Sequence, residues 1–180
     1  MSLKYFTLDW YHAVDDNFDR DRSAYQRYAR HLDEMQGVLP ADVLALAHLP
    51  GVDDALVVKV RHDRARRVLS LTLRAGDAVI GYYDLIFTYE GAEITPEDEQ
   101  MLALVARTTR DSRRHESDLA FHELDVTEDG RIEHSLLLHP GRAFTIRCDT
   151  LVWVRLPRRS RDFPRRFDRF PGGPVTTSSV

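Results

Sequence analysis

Apolar and polar residues alternate from Leu119 to Leu156, and two short clusters of turn residues interrupt the alternation. A period of two marks strands with one buried face, so the pattern predicts three antiparallel strands joined by two tight turns. The first turn is Thr127-Glu128-Asp129-Gly130-Arg131, with Asp-Gly as its hairpin signal. A two-residue loop there would set Val126 opposite Glu133 and Leu124 opposite Ser135. A three-residue loop, with Gly130 in a left-handed conformation, pairs Val126 with Ile132, Leu124 with His134 and His122 with Leu136. The second register is preferred, because a slip of one residue turns an apolar set to the wrong face. At Pro140-Gly141-Arg142 the same test places Leu138 opposite Phe144, Leu136 opposite Ile146 and His134 opposite Cys148. One face then carries Leu124, Val126, Ile132, Leu136, Leu138, Phe144, Ile146 and Cys148, with His122 and His134 among them.

Upstream the periodicity changes. Thr7 is placed to cap a first helix through Asp9, Trp10, Tyr11 and Val14. Tyr25, Tyr28, Leu32 and Met35 recur at helical spacing and predict a second helix, ended by Gly37. Pro40 opens a short third one with Val43, Leu44 and Ala47 on its buried side. Leu56 to Arg61, Val68 to Arg74 and Ala78 to Tyr89 read as strands, linked by loops too short for parallel crossovers. Thr95-Pro96 with acids at 97–99 starts a fourth helix, whose apolar side is Met101, Leu102, Leu104 and Val105 and whose charged end, 107–116, faces water. The predicted class is α+β: an antiparallel, strongly curved sheet, or sheets, of about six strands, covered by the N-terminal helices and one central helix. Residues 1–156 form a single domain, and residues 157–180 an Arg/Pro-rich, poorly ordered tail.

Composition fits an ordinary globular chain, with 43% hydrophobic and 30% charged residues among 180. No apolar run approaches the length of a membrane span, and the N-terminus lacks a basic-then-apolar signal. A lone cysteine, Cys148, forbids an internal disulfide and suits a reducing compartment, so a cytoplasmic location is expected. The net charge of −4 hides an asymmetry: residues 157–180 hold six arginines against Asp162 and Asp168, which leaves the first 156 residues at −8. That is an acidic body with a basic tail.

Three places invite chemistry. His122, His134 and Cys148 share a face, and in the preferred register His134 faces Cys148 while His122 is diagonal to it at roughly 7–8 Å. Imidazoles and a thiolate at that spacing would hold zinc with an open position for water, as a metal-dependent hydrolase requires. The plainer reading is two hydrogen-bonded histidines and a small hydrophobe on a core face, and no short ligand spacing supports the metal. Glu123, Asp125 and Glu133 lie on the opposite face, with Asp125 opposite Glu133, so that a raised carboxyl pKa competes with compensation by Arg131 or Arg147. Phe163, Phe167 and Phe170 among the tail arginines suggest stacking on nucleic acid, against which stands the repulsion of the acidic body. No nucleophile elbow, phosphate loop or dinucleotide fingerprint occurs, and no catalytic or cofactor-binding residue is assigned.

Lys4-Tyr5-Phe6-Thr7, Asp9-Trp10-Tyr11 and the run Asp129-Gly130-Arg131-x-Glu133-His134 before Leu136-Leu137 and Pro140 resemble a family of uncharacterised bacterial proteins, DUF4085. Asp9 stands where that family tends to have glutamate. The resemblance implies a small cytosolic bacterial protein and brings no activity or site residues. The expected function is that of a non-enzymatic module whose acidic body engages another, basic protein, in the manner of an immunity or antitoxin protein. The alternatives are the zinc hydrolase and nucleic-acid binding through the tail. No membrane partner is expected.

Overall fold

The computed structural model describes residues 3–13, 18–111 and 118–159. Among them the elements run α1 (Leu8–Ala13), α2 (Phe18–Glu34), α3 (Ala41–Leu46), β1 (Ala55–Asp63), β2 (Val68–Asp77), β3 (Gly81–Glu90), α4 (Pro96–Asp111), β4 (Asp118–Val126), β5 (Ile132–Leu138), β6 (Arg142–Cys148) and β7 (Thr150–Arg158). The class is α+β, as expected. A single antiparallel sheet of seven strands, in the order β6-β5-β4-β1-β2-β3-β7, takes the place of the expected six or so.

The sheet is open, since β6 and β7 do not pair, yet only Asp149 separates them. At that corner the two ends of the sheet come together. Glu93, just past β3, bridges to Arg147 of β6, and the Asp149 N–H donates to the Glu90 carbonyl at 2.8 Å. The run from Arg142 onward is therefore two strands and not one. The inward positions show the break: Phe144, Ile146 and Cys148 are buried on one side of Asp149, and on the other Leu151 is buried and Trp153 partly so, so parity switches there.

The first hairpin has the expected register, with Val126 opposite Ile132, Leu124 opposite His134 and His122 opposite Leu136. The second is displaced by two residues. His139-Pro140-Gly141 forms the loop, and Leu136 pairs with Phe144, His134 with Ile146 and Ile132 with Cys148. The proposed His134–Cys148 pairing is thus replaced, although the same residues keep the same face. At the β2–β3 turn Asp77 accepts the Val79 and Ile80 N–H groups at 2.7 and 2.9 Å, so Ala78 to Ile80 belong to the turn and not to the strand.

One face of the sheet packs against α3 and α4 to form the main core. Thr95 caps α4 through the Asp98 N–H at 3.1 Å, as its sequence implies, and Leu102, Val105 and Ala106 are buried while Leu104 points outward. In α3 the deepest residues are Val43 and Leu46. A second, smaller core lies on the opposite face of β4, where Phe121 meets Phe6, Trp10, Ala24, Tyr28 and Leu32. The buried stripe of α2 thus runs through Ala24, Tyr28, His31 and Leu32, with Tyr25 left at its rim.

This placement of α2 has a backbone reason. β1 and β4 pair only at Ala55–Leu119 and Leu56–Asp118, after which β4 continues alone on that side. Leu124 there would leave its peptide groups bare. Instead its N–H donates to the Tyr28 hydroxyl at 2.9 Å, and His31 Nε2 donates to its carbonyl at 3.2 Å. Two side chains one helical turn apart satisfy one strand residue, which blunts an otherwise open edge.

On the far side of β7, Val152, Val154 and Leu156 are exposed among the described residues. β7 extends through Pro157 and Arg158, which pair with Tyr83 and Tyr82, so the expected tail begins inside the sheet. Proline is tolerated because β7 is an end strand. The rest of the tail, residues 160–180, residues 112–116 of the expected charged helix end and Val14 of the expected first helix lie outside the described residues.

Candidate functional site

The expected metal candidates occupy three different situations. His134 is fully buried, and both its ring nitrogens are engaged: Nδ1 with the Tyr89 hydroxyl at 2.9 Å, Nε2 with His122 Nδ1 at 3.3 Å. Tyr89 belongs to β3, which is not a neighbour of β5 in the sheet, so this bond crosses the core. Phe87 meets the His134 ring edge-on beside it. A consistent proton arrangement has Tyr89 donating to His134 and His134 donating to His122. All three are then neutral, and burial favours that: it holds His134 well below the ordinary histidine range, with His122 adding to the effect, and His122 down at about 4.

Cys148 is buried two residues further along, opposite Ile132, and burial pushes its thiol up to about 12 despite Arg131 nearby. A thiol held in that form is neither a nucleophile nor a ready metal ligand. Among the described residues no group of three or more His, Cys, Asp or Glu is arranged to hold a metal ion.

The carboxylates on the other face of the hairpin serve the N-terminal segment. Glu123, 5% exposed, accepts the backbone N–H groups of Lys4 at 2.8 Å, Tyr5 at 2.8 Å and Phe6 at 2.6 Å. It thereby pins the chain that carries Phe6 and Trp10 into the smaller core. Asp125 does face Glu133, as expected. The like charges are compensated separately, Asp125 by the Lys4 ammonium and Glu133 by Arg147 at 2.8 Å. Arg131 turns instead to Glu93 and Asp149, each at 2.8–2.9 Å, and so clamps the corner where the sheet ends meet.

A concavity lies elsewhere, at the edge of the smaller core. A cleft of about 570 Å³ is lined by Tyr11, Tyr25, Asp53, Asp54, Asp118, Ala120, Phe121 and His139. Five chain segments supply these residues. The tip of α1 brings Tyr11, whose hydroxyl bonds His139 Nδ1 in the β5–β6 turn. Tyr25 projects from the rim of α2, edge-on to Phe121. Asp53 and Asp54 come from the loop before β1, which is held to the sheet by Tyr83 donating to the Pro50 carbonyl at 2.6 Å and by Gly76 N–H donating to the Gly51 carbonyl at 2.9 Å. Asp54 has φ +65°, in the left-handed region that aspartate tolerates better than most residues, and its N–H donates to the Leu119 carbonyl at 2.8 Å. Asp118 opens β4 beside it. Its carbonyl accepts the His139 N–H at 2.8 Å.

Three carboxylates thus meet at one aromatic-walled opening. Partial desolvation, and then the neighbouring Asp54 charge, raises the Asp53 pKa. An arrangement of this kind suits a cation with a flat or apolar flank, such as a guanidinium group, which can face carboxylate and ring together.

The sequence placed Tyr11 and Tyr25 only on the first and second helices and singled out none of the three aspartates as a site. The available signal was Asp53-Asp54 following Pro50-Gly51, an acidic pair in a turn directly ahead of a strand. A scan against protein-family models, a search of curated proteins and a search of solved structures each return no match for this chain.

Proposed function

We propose that the chain is a non-enzymatic binding module that takes an arginine-bearing segment of a basic partner protein into the cleft of Asp53, Asp54 and Asp118. The observation that carries this reading is the convergence of those three carboxylates with Tyr25 and Phe121 on one opening of about 570 Å³. The charge of −8 on the first 156 residues supports it by drawing a basic partner toward the body over long range. The engaged nitrogens of His134 and the raised pKa of Cys148 favour it over the hydrolase alternative. The lone buried thiol suits a reducing compartment such as the cytosol, and an immunity protein against a basic toxin is one concrete form of such a module.

The test is fluorescence anisotropy of a labelled oligo-arginine peptide against the full chain and a variant carrying Asp53→Asn, Asp54→Asn and Asp118→Asn. Asparagine keeps shape at all three sites and accepts the left-handed backbone at Asp54. Binding should weaken with added salt and fall about tenfold or more in the variant, as loss of close charge pairs implies. Equal binding by the two proteins, both folded by circular dichroism, overturns the reading.

A further inference from the structure

The two end strands of the sheet are treated differently. β6 is paired outward at Arg147 by Glu93, just as the lone stretch of β4 is capped at Leu124 by Tyr28 and His31. β7 pairs with β3 through all 9 of its residues, and among the described residues no strand lies on its other side. A bare edge invites another chain, and proteins usually blunt it with charge, bulges or proline. In β7 such devices are confined to its end, at Pro157 and Arg158. Arg155 is drawn inward, its guanidinium carbon 3.9 Å from the centre of the Tyr83 ring. The run Leu151 to Leu156 is otherwise that of a pairing strand, and Val152, Val154 and Leu156 on its outer face are 45%, 48% and 42% exposed.

This strand is complementary to itself. Two copies related by a two-fold axis normal to the sheet pair antiparallel with outer face beside outer face, so the one freedom is the residue on the axis. With Arg155 on the axis, two guanidinium groups oppose each other and Val152 faces Arg158. With Trp153 there, Leu156 faces Thr150. With Val154 there, Val154 faces its own counterpart, Val152 faces Leu156, Trp153 faces Arg155 and Thr150 faces Arg158. Every exposed apolar residue of the strand then meets another, and Arg155 lies opposite an indole instead of its own kind. The rule that fixes the register at Asp129-Gly130, apolar opposite apolar, selects Val154.

We propose that two copies of this chain associate through β7, antiparallel about Val154, and so join their sheets into one continuous sheet. Main-chain bonds of the added strand supply most of the attraction, and the apolar pairs fix the register. Because each copy uses its one β7 edge, the assembly stops at two chains and does not propagate. Three half-exposed aliphatic side chains per copy make a contact at the small end of the range, so the dimer forms and dissociates readily. None of these residues lines the cleft of Asp53, Asp54 and Asp118, and the association is independent of what the cleft takes.

The experiment is sedimentation velocity of the full chain from about 5 to 500 μM, the span suited to a small interface. The unmodified chain should pass reversibly from monomer to dimer. Val154→Lys and Val154→Glu each set like charges face to face, and each should raise the dissociation constant about a hundredfold. Mixed in equal amounts, the two variants should recover association to at least the unmodified level, because residue 154 meets only its own counterpart. The substituted position is half-exposed, and circular dichroism checks that both variants fold. A monomer throughout the range overturns the proposal, as does a dimer that Val154→Lys leaves intact or that the mixture fails to restore. Oxidation tests the register separately, since Cα atoms directly opposite in an antiparallel pair are about 4.5–5.5 Å apart, within disulfide reach. Val154→Cys should give a disulfide-linked dimer and Val152→Cys, which faces Leu156, should not, with buried Cys148 common to both. Equal or reversed cross-linking overturns the pairing about Val154.

Discussion

Lowering the pH from 7 to 5 should cost this protein stability through a histidine that its fold keeps neutral. His122 accepts from His134 in the Tyr89–His134–His122 chain, and desolvation of its ring holds its pKa near 4 against 6.5 when exposed. A depressed histidine pKa means that the unfolded chain takes up a proton first as the pH falls. The native state therefore keeps its full stability above about pH 6.5 and loses it progressively down to about pH 4. Integrated from pH 7 to pH 5, a shift from 6.5 to about 4 removes up to about 2 kcal/mol. His134 acts in the same direction. The assay is urea unfolding at pH 7, 6 and 5, above the range where most carboxylates titrate, for the native chain and His122→Gln. Glutamine can still accept from His134 but does not titrate. The native chain should lose about 2 kcal/mol more than the variant between pH 7 and 5, seen as a fall in midpoint at constant slope. Parallel losses in the two proteins would show that His122 ionises freely in the folded state and would refute the reasoning.

Three further outcomes are expected from the contacts. Glu123→Gln removes the charge and one acceptor from three backbone donors, and should cost about 2–3 kcal/mol in unfolding free energy while the amides of Lys4, Tyr5 and Phe6 lose protection from hydrogen exchange. Tyr28→Phe leaves the Leu124 N–H without its acceptor, and chemical denaturation should register about 1–2 kcal/mol of destabilisation with no change in fold by circular dichroism. Asp84, 5% exposed, accepts from Arg74 and Arg158 together. Asp84→Ala should therefore destabilise by about 2–3 kcal/mol, and Arg158→Ala, which removes the more exposed partner, by less than half of that in the same thermal or urea measurement.

The parts of the fold that could be read from sequence are those where a wrong answer would have exposed apolar surface. At Asp129-Gly130 a slip of one residue opposes Val126 to Glu133, so the register is determined. At Pro140 the two candidate registers differ by two residues and put the same side chains on the same faces, so patterning cannot separate them. The break at Asp149 was hidden by Val152, Val154 and Leu156, which continue the even-numbered apolar series past the corner although they face outward. His122 and His134 were legible as diagonal neighbours within one hairpin. Their partner Tyr89 was not, because it arrives from a strand that is not adjacent in the sheet. The cleft is harder still: Tyr11, Tyr25, Asp53, Asp118 and His139 lie on five separate segments, and nothing local in any of them announces the others.

The single-residue link at Asp149 also bears on synthesis. β3 pairs with β2 early, but its other edge waits for β7, from Glu90–Thr150 to Tyr82–Arg158, sixty to seventy-six positions downstream. Until that last strand emerges, a ten-residue edge rich in Tyr, Leu, Ile and Phe is open to neighbouring nascent chains. A product stopped after Asp149 should pellet as aggregate, and one stopped after Arg159 should stay dispersed. The arginines that close β7 are thus the last residues the ribosome must deliver before the protein is safe from its own copies.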